Sequence, residues 1–330
     1  MTLRKRRTIF SFVLLVSLAG FFWLSLRLGA VPTRAQDLWN FLFRQDDTYR
    51  TIFLDLRLCR ALVAFLVGAS LSLAGAILQG YFQNSMADPF VVGVSSGASL
   101  GAVLSISLGL QASVFGFSAQ NLFAFLSGFA LVSFVYLVAQ KKAVFKVETL
   151  LLTGIAAGAM ASSLTSFLLF LRSDSFEQAV FWLLGSFTAA DWTQVVAVAP
   201  YFLVCLGLAQ WLAKDMNLLV LGDEAAQSLG SPVNWVRRIF LVIATLLAAI
   251  SVSVSGIIGF VGLVVPHWVR ILIGPDHRYL FLFSSITGGI FLVACDLLAR
   301  VLLSPTELPI GIITAAVGAP FFIYLLHQRR

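Results

Sequence analysis

Between Gly256 and Arg278 the chain is apolar enough to lie in a membrane, yet residues that a lipid-facing helix cannot use interrupt it. The run Gly256-Ile-Ile-Gly-Phe-Val-Gly-Leu-Val-Val-Pro-His-Trp-Val-Arg270, continuing to Gly274-Pro-Asp-His-Arg278, contains glycines, prolines, histidines and arginines. Irregular backbone at membrane depth persists only where it is buried in protein or lines a cavity, because no water is at hand for its N–H and C=O groups. Such a segment points to a polytopic protein with a structured interior, as transporters have.

The rest of the chain supplies the membrane helices. Of its 330 residues, 59% are apolar and 11% charged, with a mean hydropathy of +0.95, outside the balance of a soluble domain. A spanning helix takes about 20 apolar residues. Ten stretches qualify: roughly 8–30, 58–82, 91–110, 119–140, 148–171, 192–213, 239–257, 259–273, 279–302 and 308–327. They use nearly the whole chain, so residues 1–330 are expected to form one all-α, ten-helix membrane domain. The first run continues through Trp23 and Leu24 to Arg27 with no small-residue cleavage site, which favours a retained helix over a signal peptide.

The net charge of +7 is a topology signal rather than a nucleic-acid footprint. With a cytoplasmic N-terminus, the inner clusters are Arg4-Lys5-Arg6-Arg7, Lys141/Lys142/Lys146, Lys214 with Arg237/Arg238, Arg270/Arg278 and Arg329/Arg330. They hold fourteen of the 22 basic residues and every lysine, as the positive-inside rule predicts. Ten spans return the C-terminus to the same side. Cys59, Cys205 and Cys295 have no metal-ligand spacing, and no metal site is expected.

Residues 31–57, with Asp37, Asp46, Asp47 and Asp55, read as the first external stretch. The longest internal connection, 214–238, contains Leu221-Gly222-Asp223-Glu224-Ala225-Ala226-Gln227-Ser228-Leu229-Gly230. Its middle is too polar to span and too patterned for a tether, with Gly222 and Gly230 as punctuation. It reads as a docking element on the inner membrane surface. Ser72–Gly80 and Ser253–Gly262 share small-residue spacing in the second and seventh spans. That echo would make helices 2–5 and 7–10 an inverted repeat, a transporter trait.

Several constellations admit two readings. Gly93, Gly97 and Gly101, like Gly154 and Gly158, are spaced for close helix packing. Gly93-Val-Ser-Ser-Gly97 also fits a nucleophile elbow, with Ser95 as nucleophile and His267 as base of an intramembrane protease, but that motif needs a strand–turn–helix setting. Gly158, Ser162, Thr165, Ser166 and Leu169 form one stripe of the fifth span, which either lines a path or packs through hydroxyls bonded to their own helix. Asp296 and Arg300 are four apart, and an intramembrane charge calls for such a partner or an external one. Arg57 and Arg60 either snorkel or receive acidic residues of an external protein. No lysine follows a glycine, so a G-x-x-x-x-G-K-[ST] phosphate loop cannot exist here, and any ATP hydrolysis belongs to another polypeptide. An ion- or proton-coupled transporter working alone would want acids on its path, and only Asp296 lies well inside a span.

These pieces match one pattern. Arg57-Leu-Cys-Arg60, Gly75-Ala-Ile-Leu-Gln79, Asn84-Ser-Met-Ala-Asp-Pro-Phe90 with Gly93–Gly97, Leu221-Gly-Asp with Leu229-Gly230, Phe260–His267, Asp296-Leu-Leu-Ala-Arg300, and Glu307–Gly311 with Gly318-Ala-Pro320 occur in order. In them the chain closely resembles the permease subunits of binding-protein-dependent ABC importers for iron-siderophores, haem and vitamin B12 (type II importers), from about Arg57 to Arg330. The resemblance implies a non-enzymatic subunit of the bacterial inner membrane that binds no cofactor itself. It would pair with a second permease subunit, identical or distinct. A cytoplasmic ABC ATPase dimer would use ATP and magnesium, and a periplasmic binding protein would deliver cargo.

On that pattern Arg57, Arg60 and Arg300 are docking points for glutamates of the binding protein, and Leu221–Gly230, within coupling helices at about 215–236, engages the ATPase. Gly158, Ser162, Thr165 and Ser166 line the path. Asn84, Met86, Val147 and Glu148 form the inner gate, and His267 and Arg270 brace the ATPase-facing surface. Three positions depart from the family: Cys59 and Ser85 replace prolines, and Met86 replaces leucine. Ser85 relaxes a turn that proline would lock, and Glu148 puts a charge where a small polar residue is usual.

Overall fold

The structure, a computed structural model, describes residues 3–29, 50–114, 117–140 and 147–328. Among these, helices occupy all ten apolar stretches: α1 (Leu3–Arg27), α2 (Cys59–Tyr81), α3 (Val94–Ser107), α4 (Ala119–Gln140), α5 (Val147–Leu171), α7 (Trp192–Trp211), α10 (Val233–Ser255), α11 (Val261–Ile273), α12 (His277–Val301) and α13 (Ile310–Gln328). Three short helices join them: α6 (Phe176–Leu183), α8 (Ala213–Leu219) and α9 (Asp223–Ser228). Seven helices are long and apolar enough to cross a membrane by themselves. α3 and α11 have 14 and 13 residues, about 20 Å at 1.5 Å per residue. One small antiparallel pair, Ser113–Val114 with Phe117–Ser118, interrupts the otherwise helical order.

Two sequence boundaries shift. A π-helical lead-in over Thr51–Leu58 extends α2 outward, so the external stretch ends earlier than 57. Asp37, Asp46 and Asp47 lie outside the described residues, as do Lys141, Lys142, Lys146, Arg329 and Arg330. α10 starts at Val233, placing Arg237 and Arg238 on a helix rather than in the inner connection.

α2, α10 and α12 are mostly buried, whereas α1, α4, α5 and α7 keep most of their apolar surface exposed, as lipid- or partner-facing helices do. The central helices meet through small residues. A Cβ at Gly68 would lie 2.7 Å from Leu292 Cβ and collide with the Gly288 backbone. A Cβ at Gly75 would lie 2.6 Å from Gly262 Cα. The two small-residue segments that echo each other in sequence are therefore packed face to face, with α2 and α11 in backbone contact. The expected Gly97 and Gly101 face packs on α4, where a Cβ at Gly97 would meet Ser127 O at 2.7 Å.

The interruption at Gly256–Phe260 is a turn between α10 and α11. Gly256 takes φ 70°, ψ −165°, a region open to glycine alone, and Phe260 holds φ 69°. Neighbouring backbone bonds around the turn. Ser186 N–H donates to Ser255 O (2.8 Å), Ile310 N–H to Gly185 O (3.0 Å) and Gly311 N–H to Leu184 O (3.1 Å). From α2, Gln79 Nε2 donates to Leu263 O (3.0 Å) and Gly262 O (3.3 Å). The irregular backbone is thus buried in protein, as membrane depth demands.

Candidate functional site

The inner connection folds as a latched element. Gly222 (φ 105°) opens α9 and Gly230 (φ 86°) follows its end, conformations that a side chain would oppose. Four polar links fix α8 and α9 to α10, to the start of α12 and to the neighbouring turns. Arg237, buried on α10, donates through Nη2 to Asp223 Oδ1 at 2.6 Å and stands 5.2 Å over the Tyr81 ring. Ser231 donates to Asp215 (2.9 Å), and Gln83 Nε2 to Leu219 O (2.7 Å).

The fourth link is Asn217, which the sequence did not single out. Its Nδ2 donates to Asp276 Oδ1 (2.8 Å) while its Oδ1 accepts from the His277 amide (2.9 Å). Asp276 in turn caps α12 and pairs with Arg278 at 2.7 Å. The Arg278 guanidinium, helped by the Asn217 amide, holds the Asp276 carboxyl well below the usual carboxylate range despite partial burial. Within this latch Ala226 is buried, Glu224 and Ala225 lie on the outer side, and Leu221 and Leu229 are 66% and 62% exposed. Two leucines are thus held outward on a fixed element as an exposed apolar ridge.

His267 and Arg270, on α11, line a hollow of about 930 Å³ with Leu221 and Val220. The structure thus brings them beside the inner element. Asn84 turns back on its own loop, its Oδ1 accepting the Met86 amide (3.0 Å). Glu148 is exposed in the first turn of α5, where an acid suits the positive end of the helix dipole. Val147 opens that helix.

Asp88, beside the Asn84 turn, accepts the Phe90 amide at 2.8 Å. Burial nevertheless outweighs that bond and pushes its carboxyl up to about 6. The α5 stripe divides: Gly158 and Thr165 are buried, Ser162 and Ser166 exposed. Thr165 bonds back to Ala161 O (2.9 Å), and Ser162 reaches Ser96 Oγ (3.3 Å).

At the opposite end the three arginines sit inside an ion network. Arg60 grips Asp296 through Nε (2.9 Å) and Nη2 (2.8 Å), and Glu307 through Nη1 (2.9 Å). Arg300 Nε stands 3.1 Å from the other Asp296 oxygen, and its Nη2 donates to Ser25 Oγ (2.8 Å). Arg57 Nη1 donates to Leu26 O (2.6 Å) at the end of α1. Asp55, the sequence-adjacent acid, instead accepts Trp192 Nε1 (3.0 Å). All three arginines are buried, yet all line one hollow of about 240 Å³ with Glu307. A larger vestibule of about 870 Å³ lies beside it. Amides such as Gln111, Asn121 and Gln178, with Asp191 and Glu307, line its wall, which among the described residues includes no lysine or arginine.

Relatives share this architecture. The chain is 43% identical over 294 residues (87% of this chain, 76% of the relative) to the cobalamin import system permease protein BtuC of Halobacterium salinarum. It is 36% identical to the Fe(3+) dicitrate transport system permease protein FecD of Escherichia coli, covering 96% of this chain and 97% of that one. A solved metal-chelate type ABC transporter, in an inward-facing conformation, superimposes with TM-score 0.84 at 31% identity, over 97% of this chain and 99% of that one. The FecCD transport family model matches residues 15–328. A multi-pass helical protein whose family match runs almost end to end, this chain belongs to the FecCD transport family of membrane permeases.

Proposed function

We propose that this chain is a permease subunit of the bacterial inner membrane that imports a metal chelate or corrinoid, with both termini cytoplasmic. It works beside a second permease subunit, above a cytoplasmic ABC ATPase dimer and below a periplasmic binding protein. One observation carries the reading: α8 and α9 are fixed to α10 and α12 by Arg237–Asp223 and Asn217–Asp276, while Leu221 and Leu229 face outward. A rigid element with an exposed apolar ridge fits a groove on a motor subunit and passes its displacement inward.

The outer hollow is the docking site on this reading. Arg57, Arg60 and Arg300 present their edges there, and a glutamate of the binding protein would compete with Glu307 for Arg60. Asn84, Met86, Val147 and Glu148 serve as the inner gate, and Gly158, Ser162, Thr165 and Ser166 as the path. The vestibule's amides and carboxylates suit a neutral, hydrogen-bond-rich cargo better than a polyanion.

Leu221→Asp with Leu229→Asp tests the coupling role, since both side chains are exposed and the fold tolerates the change. The permease is expected to keep its thermal stability and lose co-purification with its ATPase and cargo uptake. Normal uptake would overturn the assignment.

A further inference from the structure

α1 begins inside the basic cluster, so Arg4 and Arg7 stand on a helix rather than on a frayed tail. At spacings of three and four, Arg4, Arg7 and Ser11 share one face. With Thr8 they face Tyr279 and Phe283 of α12 across a hollow of about 510 Å³. Arg7 is held in place there. Its Nε donates to Ile273 O at 3.2 Å, and its guanidinium carbon lies 3.8 Å from the centroid of the Tyr279 ring. Among the described residues its terminal nitrogens have no ion-pair partner.

Arg7 also lines the second hollow, the one that holds Arg270 and His267. Arg270 is partly buried there and makes no hydrogen bond or ion pair among the described residues. The lining includes one acid, Asp276, which is already committed to Arg278 and Asn217. A guanidinium withdrawn from water without a counter-charge is costly, and a bound anion removes that cost.

We infer that these two hollows, joined at Arg7, bind the headgroup of an anionic phospholipid. Its phosphate sits between Arg7 and Arg270, and its acyl chains leave past Phe283 along α1. Arginine's planar fork matches phosphate oxygens two at a time, and basic pockets between membrane helices at the bilayer surface take anionic headgroups. A lipid fits better than a soluble anion because the Arg4–Ser11 face runs on to exposed Leu15, with exposed Phe12 flanking it, and Phe10 packs on Phe283 at 5.6 Å. The inference rests on the membrane-permease reading, and on the proposed topology for the choice of the cytoplasmic leaflet.

The test uses full-length permease co-purified with its ATPase and exposed to equal amounts of dioleoyl phosphatidylglycerol and dioleoyl phosphatidylcholine. Native mass spectrometry counts the lipid retained. The wild type is expected to prefer the anionic lipid on the order of tenfold, and Arg7→Gln with Arg270→Gln to abolish the preference. Arg172→Gln, exposed beyond the end of α5, should change nothing. Arg7→Lys with Arg270→Lys keeps the charge and should keep part of the preference, which guards against misfolding of the glutamine pair. Equal retention of both lipids by the wild type, or an unchanged preference in the glutamine pair, overturns the inference. Displacement by millimolar inorganic phosphate would assign the site to a soluble anion. Lipid bound by free permease and lost in the ATPase complex would make Arg270 a protein contact, and either result overturns the lipid assignment. Uptake is not the readout, so failure here leaves the permease function standing.

Discussion

Asp296→Ala should unfold this permease more readily than any other single change at its outer end. Asp296 is fully buried and is the shared anion of two arginines, receiving Arg60 at 2.8 and 2.9 Å and Arg300 at 3.1 Å. Removing it leaves Arg300 buried with Ser25 Oγ and the Leu28 carbonyl, while Arg60 keeps Glu307. Breaking a buried ion pair from one side costs about 3–5 kcal/mol, because a buried charge is left uncompensated. Glu307→Ala removes a carboxylate whose side chain is 28% exposed and which, among the described residues, pairs with Arg60 alone, so about 1 kcal/mol is expected. Replacing Asp296 and Arg300 together with leucine takes out both charges and should cost less than the sum of the single changes.

Thermal unfolding of the detergent-purified subunit, followed by size exclusion, ranks the three variants. The expected order of loss puts Asp296→Ala well ahead of Glu307→Ala, with the double leucine variant between them. The structural reading is refuted by equal midpoints for the two single carboxylate variants. The same experiment separates docking from architecture. If Arg60 and Arg300 served only the binding protein, Arg300→Ala would keep the wild-type midpoint and lose stimulation of the ATPase. Their burial predicts that the midpoint falls as well.

Two further outcomes follow from local geometry. Gly75→Ala forces a methyl group against the Gly262 backbone and pulls Gln79 from the carbonyls at the start of α11, so about 2–4 kcal/mol of stability should be lost from overpacking and the broken bonds. An unchanged unfolding midpoint would show that the two helices are free to separate. Asp88, with its folded pKa raised to about 6, disfavours the folded state when ionised. Stability should therefore rise as pH falls through 6 toward its unfolded value near 4, by about 2–3 kcal/mol at most. Asp88→Asn keeps an acceptor for the Phe90 amide, so it should raise the midpoint at pH 7.5 and flatten the profile between pH 4 and 6.5; a profile identical to wild type refutes the burial of that charge.

What the sequence revealed and what it concealed divide along one physical line. Features set by neighbours within a few residues were legible: ten apolar stretches, glycines bracketing 222–230, and the Asp296–Arg300 pair four apart on one helix. Features set by how helices cross were not. Arg60 finds its acids 236 and 247 residues away, while the adjacent Asp55 goes to Trp192. Asn217 meets Asp276 and His277 across 59 and 60 residues, and nothing in its own segment marks it. Gln79 carried a usable signal. A lone amide in a long apolar helix must find a partner, and Pro266, which has no N–H, leaves the Gly262 carbonyl as the acceptor such an amide would seek.

α10 connects the two places where this chain departs from regular helix. Its first turns hold Asp223 of the inner element through Arg237 at 2.6 Å, and its last residue, Ser255, accepts the Ser186 amide at the break. Most of the helix between them is buried, and a close-packed helix moves as a rod rather than bending locally. At the break Ser186 is tied to Ser255, and Ile310 and Gly311 are tied in turn to Gly185 and Leu184, with Asp191 and Glu307 of the vestibule a few residues beyond those segments. A displacement imposed on α9 therefore has a continuous packed route to the vestibule wall. Because the break is stitched by backbone hydrogen bonds and braced by Gln79, its φ angles are fixed rather than free to absorb that motion. The interruption between Gly256 and Phe260 is a packed corner between α10 and α11, and on the proposed permease reading it is expected to pass movement of α10 to the vestibule wall rather than absorb it.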